Sequence, residues 1–320
     1  MNLFNSIIDY LLSATALGMM LLYGSTGETI LEKSGHLNLG IPGVMCVGAA
    51  GGLYTLQLLY PLNEKWPSFL IVAVAILATF VVGGLMGALF SFLTVTLRAN
   101  QNVTGLAMTT FGSGTMYYIM KNVETGKYLY AASYFRYPFY SLKSNVHFCG
   151  IMFFLAIGIA ITASYVLSRT RVGLQLRAVG ENAATADAAG INVARYKYLA
   201  TCIGCGIAAL GGLYYVMDYS PSGESFKSIE NFGWLAIALV IFTLWKPHVG
   251  IWGSALFGAL LIAGTQLPSL GIPISMSMTY IVKMLPYAVT IIVLVVSSIR
   301  DNKNNQPPAS LGVNYFREER

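Results

Sequence analysis

About nine apolar runs, each long enough to cross a bilayer, decide what this chain can become. They cover residues 3–23, 37–59, 68–96, 102–120, 147–168, 193–217, 232–245, 250–267 and 279–299. Hydrocarbon about 30 Å thick is crossed by roughly 17 to 25 helical residues. Membrane β-strands would instead alternate apolar and polar positions over about ten residues, whereas 147–168 is apolar on every face. Glycine and other small residues stud the runs, as helix packing in lipid requires. With 56% hydrophobic and 10% charged residues and a mean hydropathy of +0.64, the chain has more apolar surface than one soluble core needs. The expected fold is all-α, a polytopic transmembrane bundle of about eight to ten helices.

The run at 232–245 is short for a full crossing and Pro42 interrupts the second run, so broken or partial helices are expected at both. No basic region or small-residue cleavage signature accompanies the first run, which reads as a retained span. Placing residues 169–192 inside puts about twelve Lys and Arg on the inner side, among them Arg98, Lys246 and Arg300, against about six outside. That orientation puts the N-terminus outside and the C-terminal tail inside. It also makes 121–146 an extracytoplasmic loop, although Lys121, Lys127, Arg136 and Lys143 oppose the charge rule. Residues 1–300 then form one transmembrane domain, and 301–320, rich in Asn and Pro, read as a disordered cytoplasmic tail.

The net charge of +6 does not point to nucleic acid, because the basic residues lie between apolar spans and at the C-terminus rather than along one face. Membrane lipid is the partner that composition implies. Cys46, Cys149, Cys202 and Cys205 lie in apolar surroundings and read as buried small hydrophobes. His36, His147 and His248 are scattered near span ends, which gives a metal site little support. Asn102-Val103-Thr104 matches a glycosylation acceptor but opens a membrane run beside an inner loop. No Gly-rich loop ending in Gly-Lys-Ser or Gly-Lys-Thr occurs, so the chain lacks a phosphate cradle for ATP. Any work drawn from ATP must therefore come through a partner.

The polar interruption 169–192 carries Arg169, Arg171 and Arg177 and then a short helix signature. Asn182 can cap a helix from Ala183 to Ala189 of about two turns, and Gly190 can end it in the left-handed conformation. Such a helix is too short to span. Its Ala-rich surface could lie in a partner's groove, with Glu181 and Asp187 as charged anchors. An ordinary connecting loop is the other reading of the spacing.

The string Arg177-Ala-Val-Gly180-Glu181-Asn182-Ala183-Ala-Thr-Ala186-Asp187-Ala-Ala-Gly190-Ile191 resembles the cytoplasmic coupling loop of ABC importer permeases, in the family serving simple sugars, nucleosides and branched-chain amino acids. Three further stretches share the likeness: Gly27-Glu28 with Ser34 to Gly43, Asn102 to Ala107, and Gly233 to Val240 followed by Trp245-Lys246-Pro247. The resemblance implies a permease subunit in a bacterial-type inner membrane, with ABC ATPase subunits docking on residues 180–190, a second permease subunit and an extracytoplasmic solute-binding protein. It implies no cofactor of the chain's own, ATP being bound by the partners, and a nucleoside or simple sugar as cargo. The sequence departs from that family at Pro42, where a Glu usually stands between the glycines.

A path for sugar-like solutes needs neutral hydrogen-bonding groups and aromatic faces. Asn38, Asn102, Thr104, Thr109, Thr110 and Trp234 are the candidates, each equally readable as an interhelical contact. An ion-coupled secondary transporter is the rival; it would need intramembrane carboxylates, and Asp9 and Lys283 are the main ionisable residues within the predicted spans. A membrane enzyme finds no paired carboxylates, histidine cluster or activated nucleophile at useful spacing.

Overall fold

A computed structural model of the chain describes residues 3–136, 150–270, 275–299 and 306–316, and every regular element among them is helical. In chain order these are α1 (Leu3–Glu32), α2 (Ile41–Leu59), α3 (Ser68–Ser91), α4 (Gln101–Lys121), α5 (Gly126–Leu129), α6 (Ala132–Arg136) and α7 (Ile151–Arg169). After them come α8 (Arg171–Glu181), α9 (Ala183–Ala188), α10 (Val193–Tyr214), α11 (Ile229–Phe242), α12 (Pro247–Gln266) and α13 (Met276–Ile299). Seven helices among the described residues, α1 to α3, α7 and α10 to α12, are long and apolar enough to cross a membrane. α4 and α13, of 21 and 24 residues, match a crossing in length. His147, Cys149 and residues 137–146 of the expected 121–146 loop lie outside the described residues.

α1 and α10 pack against each other at the centre, α12, α11 and α7 gathering on α1, and α3 and α2 on α10. Small residues make this possible. A methyl on Gly27 would lie 2.3 Å from the Gly204 carbonyl oxygen, and one on Gly212 would lie 2.1 Å from that of Met45. Lipid supplies no hydrophobic drive between helices, so close backbone approach and its dispersion contacts take over.

Three expectations are corrected. α1 continues to Glu32 instead of stopping near residue 23, because the polar stretch Ser25, Thr26, Glu28, Thr29 and Glu32 is buried against protein. Pro42 does not break a helix; it stands in the first turn of α2, where its missing N–H costs nothing. It packs against Gly233 of α11, where a methyl would lie 2.4 Å from Pro42 Cα. The tail is ordered over residues 306–316. Ser310 N–H donates to the Gly180 carbonyl (3.0 Å) and Gly312 N–H to that of Gly35 (3.2 Å). The Asn314 amide donates to the Arg98 and Ala99 carbonyls at 2.9 and 3.2 Å.

At the opposite end, α5 and α6 fold over the bundle, and Tyr134 donates to Asn63 Oδ1 (2.6 Å). Arg136 donates to the carbonyls of Asp218 and Tyr219 at 2.8 and 2.9 Å. A cation at the C-terminal end of the α10 rod meets carbonyls with no helical donor. This local role accounts for one of the basic residues that run against the charge rule.

Candidate coupling face and translocation path

Residues 170–192 fold as two helices, not one. Thr170 Oγ1 accepts from Gly173 N–H (3.1 Å) and starts α8. Asn182 ends α8 and begins α9, its Oδ1 accepting from Thr185 N–H (2.9 Å). Gly190, at φ +82°, closes α9: its N–H reaches the Asp187 carbonyl and the Ile191 N–H that of Ala186, each at 3.0 Å. Ala183 and Ala186 turn inward onto Val179 and Val193, while Ala184, Thr185, Ala188 and Ala189 face outward. The result is a smooth, small-residue ridge at one end of the molecule.

α8 is seated by Gly180, where a methyl would lie 2.4 Å from the Lys33 carbonyl oxygen. The two expected anchors are both held by the tail. Glu181 Oε2 accepts from Ala309 N–H (3.4 Å) and its carbonyl from the Ser310 hydroxyl (3.0 Å), while Asp187 Oδ2 accepts from the Tyr315 hydroxyl (2.8 Å). Burial lowers the Lys33 ammonium from its usual range, with Glu181 acting in the other direction.

Of the path candidates, the structure brings Asn38, Thr104 and Thr109 to the packed α2–α4 face. Asn38 is fully buried; its Oδ1 accepts from Gly40 N–H (2.9 Å) and its amide donates to Cys205 Sγ (3.6 Å). Thr109 donates to the Leu39 carbonyl and Thr104 to that of Asn100, each at 2.8 Å. Asn102 and Thr110 lie on the outward face of α4 with Tyr117 and Tyr118, and Trp234 sits half-buried on α11. α4 is thus strongly two-sided, and Gly43 and Gly112 let it approach α2 closely, a methyl on Gly112 lying 2.4 Å from the Gly43 carbonyl oxygen.

Sequence reasoning missed a buried polar cluster beside these residues. Glu28 and Glu32, one turn apart on α1, are fully enclosed; Glu28 Oε1 accepts from Asn38 N–H (3.3 Å), and Glu32 accepts from the Trp245 indole N–H. His36 Nδ1 and Thr201 Oγ1 are 2.9 Å apart, and burial, then the Lys197 charge, hold the imidazole well below its usual range. The i, i+4 spacing of the two glutamates, next to Gly24 and Gly27, was the available signal.

A polytopic helical membrane protein with a ridge of small residues at one end is the class that fold and site define. The chain matches the family described as branched-chain amino acid transport system / permease component over residues 10–294. It is 31% identical, over the whole of both chains, to the nucleoside ABC transporter permease protein NupC of Lactococcus lactis subsp. cremoris. It is 29% identical to the guanosine ABC transporter permease protein NupQ of Bacillus subtilis, across 78% of this chain and 80% of that one. At 25% identity it matches the fructose import permease protein FruF of Bifidobacterium longum, across 75% and 64% of the two chains.

The chain belongs to this permease-component family. It is a multi-pass inner-membrane subunit of an ABC transport system, a transport protein and not an enzyme. Membership brings with it ATPase and binding-protein partners.

Proposed function

We propose that this chain, paired with a second copy or a similar subunit, forms the path by which a nucleoside released from an extracytoplasmic binding protein enters the cell. ATPase subunits dock on the outward ridge of α9 and drive the transition between outward and inward states. The carrying observation is that ridge: Ala184, Thr185 and Ala188, with Ala189 at the cap, face out from a helix whose other side is packed onto α8 and α10.

The same contacts supply a lever. Motion of α9 passes to α8 through Asn182, from α8 to the turn at Lys33–Gly35 through Gly180, and from that turn through Asn38 to the start of α2, against which α4 lies. Alternating access then needs two discrete arrangements of these packed helices, biased by nucleotide in the partner. The nucleoside reading is favoured by the names of NupC and NupQ and by the aromatic, hydroxyl-bearing outer face of α4, since rings stack on bases and hydroxyls meet ribose.

The test is reconstitution with ATPase subunits and binding protein in proteoliposomes. Ala184→Trp and Ala188→Trp should abolish solute-stimulated ATP hydrolysis while leaving the permease folded. Uptake of labelled guanosine should be competed by nucleosides and not by ribose, galactose or branched-chain amino acids. Stimulation that survives both tryptophans ends the docking assignment, and competition by sugars alone reassigns the cargo.

A further inference from the structure

At the α8–α9 end a cavity of about 410 Å³ lies between the turn after α3, the start of α10, the α9 terminus and the tail. Lys197 lines it. The residue is 3% exposed, and its ammonium has no hydrogen-bond or ion-pair partner among the described residues. A buried charge without a counter-charge is strongly disfavoured, so a lysine on this wall favours an anion held within the cavity.

Three further features converge on the same space. Val193 and Ala194 belong to its wall and to the first turn of the 22-residue α10, where N–H groups have no acceptor within the helix and the helix dipole favours negative charge. Asn192 adds a side-chain amide, whereas the Asn314 amide is already engaged by the Arg98 and Ala99 carbonyls. Arg98 adds a guanidinium that also rests on the Phe316 ring, 4.9 Å from its centroid. Among the described residues the one carboxylate on the wall is Asp187, whose Oδ2 accepts from the Tyr315 hydroxyl.

We propose that this cavity is a binding site for a phosphate-type oxyanion, orthophosphate or a phosphate monoester, with Lys197 as its counter-charge. Donors arriving from a helix terminus, one amide and two cations suit an anion with several acceptor oxygens. The volume falls at the small end of ligand pockets, so a monoester of a small solute fits as well as the bare ion. Because Asp187, Gly190 and the tail form part of the wall, occupancy would hold α9 against α10, which makes the site a means for an intracellular phosphate compound to restrain transport. Binding itself does not depend on the coupling role proposed for α9.

The experiment uses the purified full-length permease in phosphatidylcholine nanodiscs, without ATPase subunits, whose nucleotide sites would bind the same probe. Orthophosphate should raise Tm by about 3 °C or more over chloride at equal ionic strength, and guanosine monophosphate at least as much. Lys197→Met should be no less stable than the wild type without phosphate and should lose the shift, while Lys197→Arg keeps most of it. If protection appears only in nanodiscs containing phosphatidic acid, and Lys197→Met abolishes it, the phosphate comes from a lipid headgroup. Should Lys197→Met fail to fold, Arg98→Gln reports on the other cation of the wall and should lose most of the shift. No protection of the wild type by any of the three, or an equal shift in the variants expected to lose it, overturns the site.

Discussion

Gly180 and Gly190 bound the stretch proposed to dock the ATPase, yet they are glycines for different reasons, and substitution separates them. A methyl on Gly180 meets the Lys33 carbonyl at 2.4 Å, a backbone atom in a turn already tied to the tail. Gly180→Ala should cost about 1–3 kcal/mol, seen as a lower Tm, and should depress stimulated ATP hydrolysis more than basal hydrolysis. Gly190 has open space around it and is constrained only by its φ of +82°, so Gly190→Ala should cost about 1 kcal/mol and leave the packing of α8 intact. His36 gives a pH test at the same scale. Its folded-state pKa is depressed, first by burial, so as pH falls below about 6.5 the unfolded chain takes up a proton that the folded chain refuses. Stability should therefore decline from about pH 6.5 downward, with a slope of at most about 1.4 kcal/mol per pH unit from this group. Thermal unfolding of His36→Gln between about pH 7.5 and about pH 5 should show a flatter profile; an unchanged slope would assign the effect elsewhere.

Among elements, the tail segment 306–316 changes the picture most. It joins α8 through Gly180 and Glu181, α9 through Asp187, the α1–α2 turn through Gly35 and the start of α4 through Gln101, whose amide donates to Asn314 Oδ1 at 3.0 Å. Ending the chain after residue 305 should lower Tm by several degrees, as a handful of net hydrogen bonds worth about 1 kcal/mol each implies. ATPase subunits should still assemble, because the outer ridge of α9 is untouched, but solute-stimulated hydrolysis should fall. Tyr315→Phe should reproduce a small part of this loss. Normal stimulation in the truncated complex would show that the strap transmits nothing. The Asn182 and Gly190 caps were legible because capping is settled within a few residues. The tail was not: its partners lie from 128 residues away to as far as Gly35, the partner of Gly312, and Asn and Pro read locally as unstructured. The end of α1 was lost for the same reason, since Ser25 to Glu32 is polar by composition and becomes buried only through α10, Asn38 and Trp245.

On the scale of the whole molecule, the helices divide by what their outer faces can tolerate. α3 exposes Leu77, Val81, Leu85 and Leu89, a surface that lipid accepts. α4 exposes Asn102, Thr110, Tyr117 and Tyr118 among apolar neighbours, and with Asn102 and Thr110 it presents groups that seek water, solute or a second subunit. The bundle of apolar helices was evident from the sequence, whereas this asymmetry required knowing which side of α4 packs on α2. It leads to a test of where the path runs. In a background with Cys46, Cys149, Cys202 and Cys205 replaced, Thr110→Cys should react with a charged, membrane-impermeant thiol reagent, since a thiolate forms only where water reaches it. Leu85→Cys, facing lipid at membrane depth, should react at least about tenfold more slowly. The cargo should protect Thr110→Cys if α4 lines the path, and nucleotide bound to the ATPases should change its rate by shifting the population of outward and inward states. Reaction at Thr110→Cys that is no faster than at Leu85→Cys would place α4 against lipid or a dry subunit contact and remove it from the route.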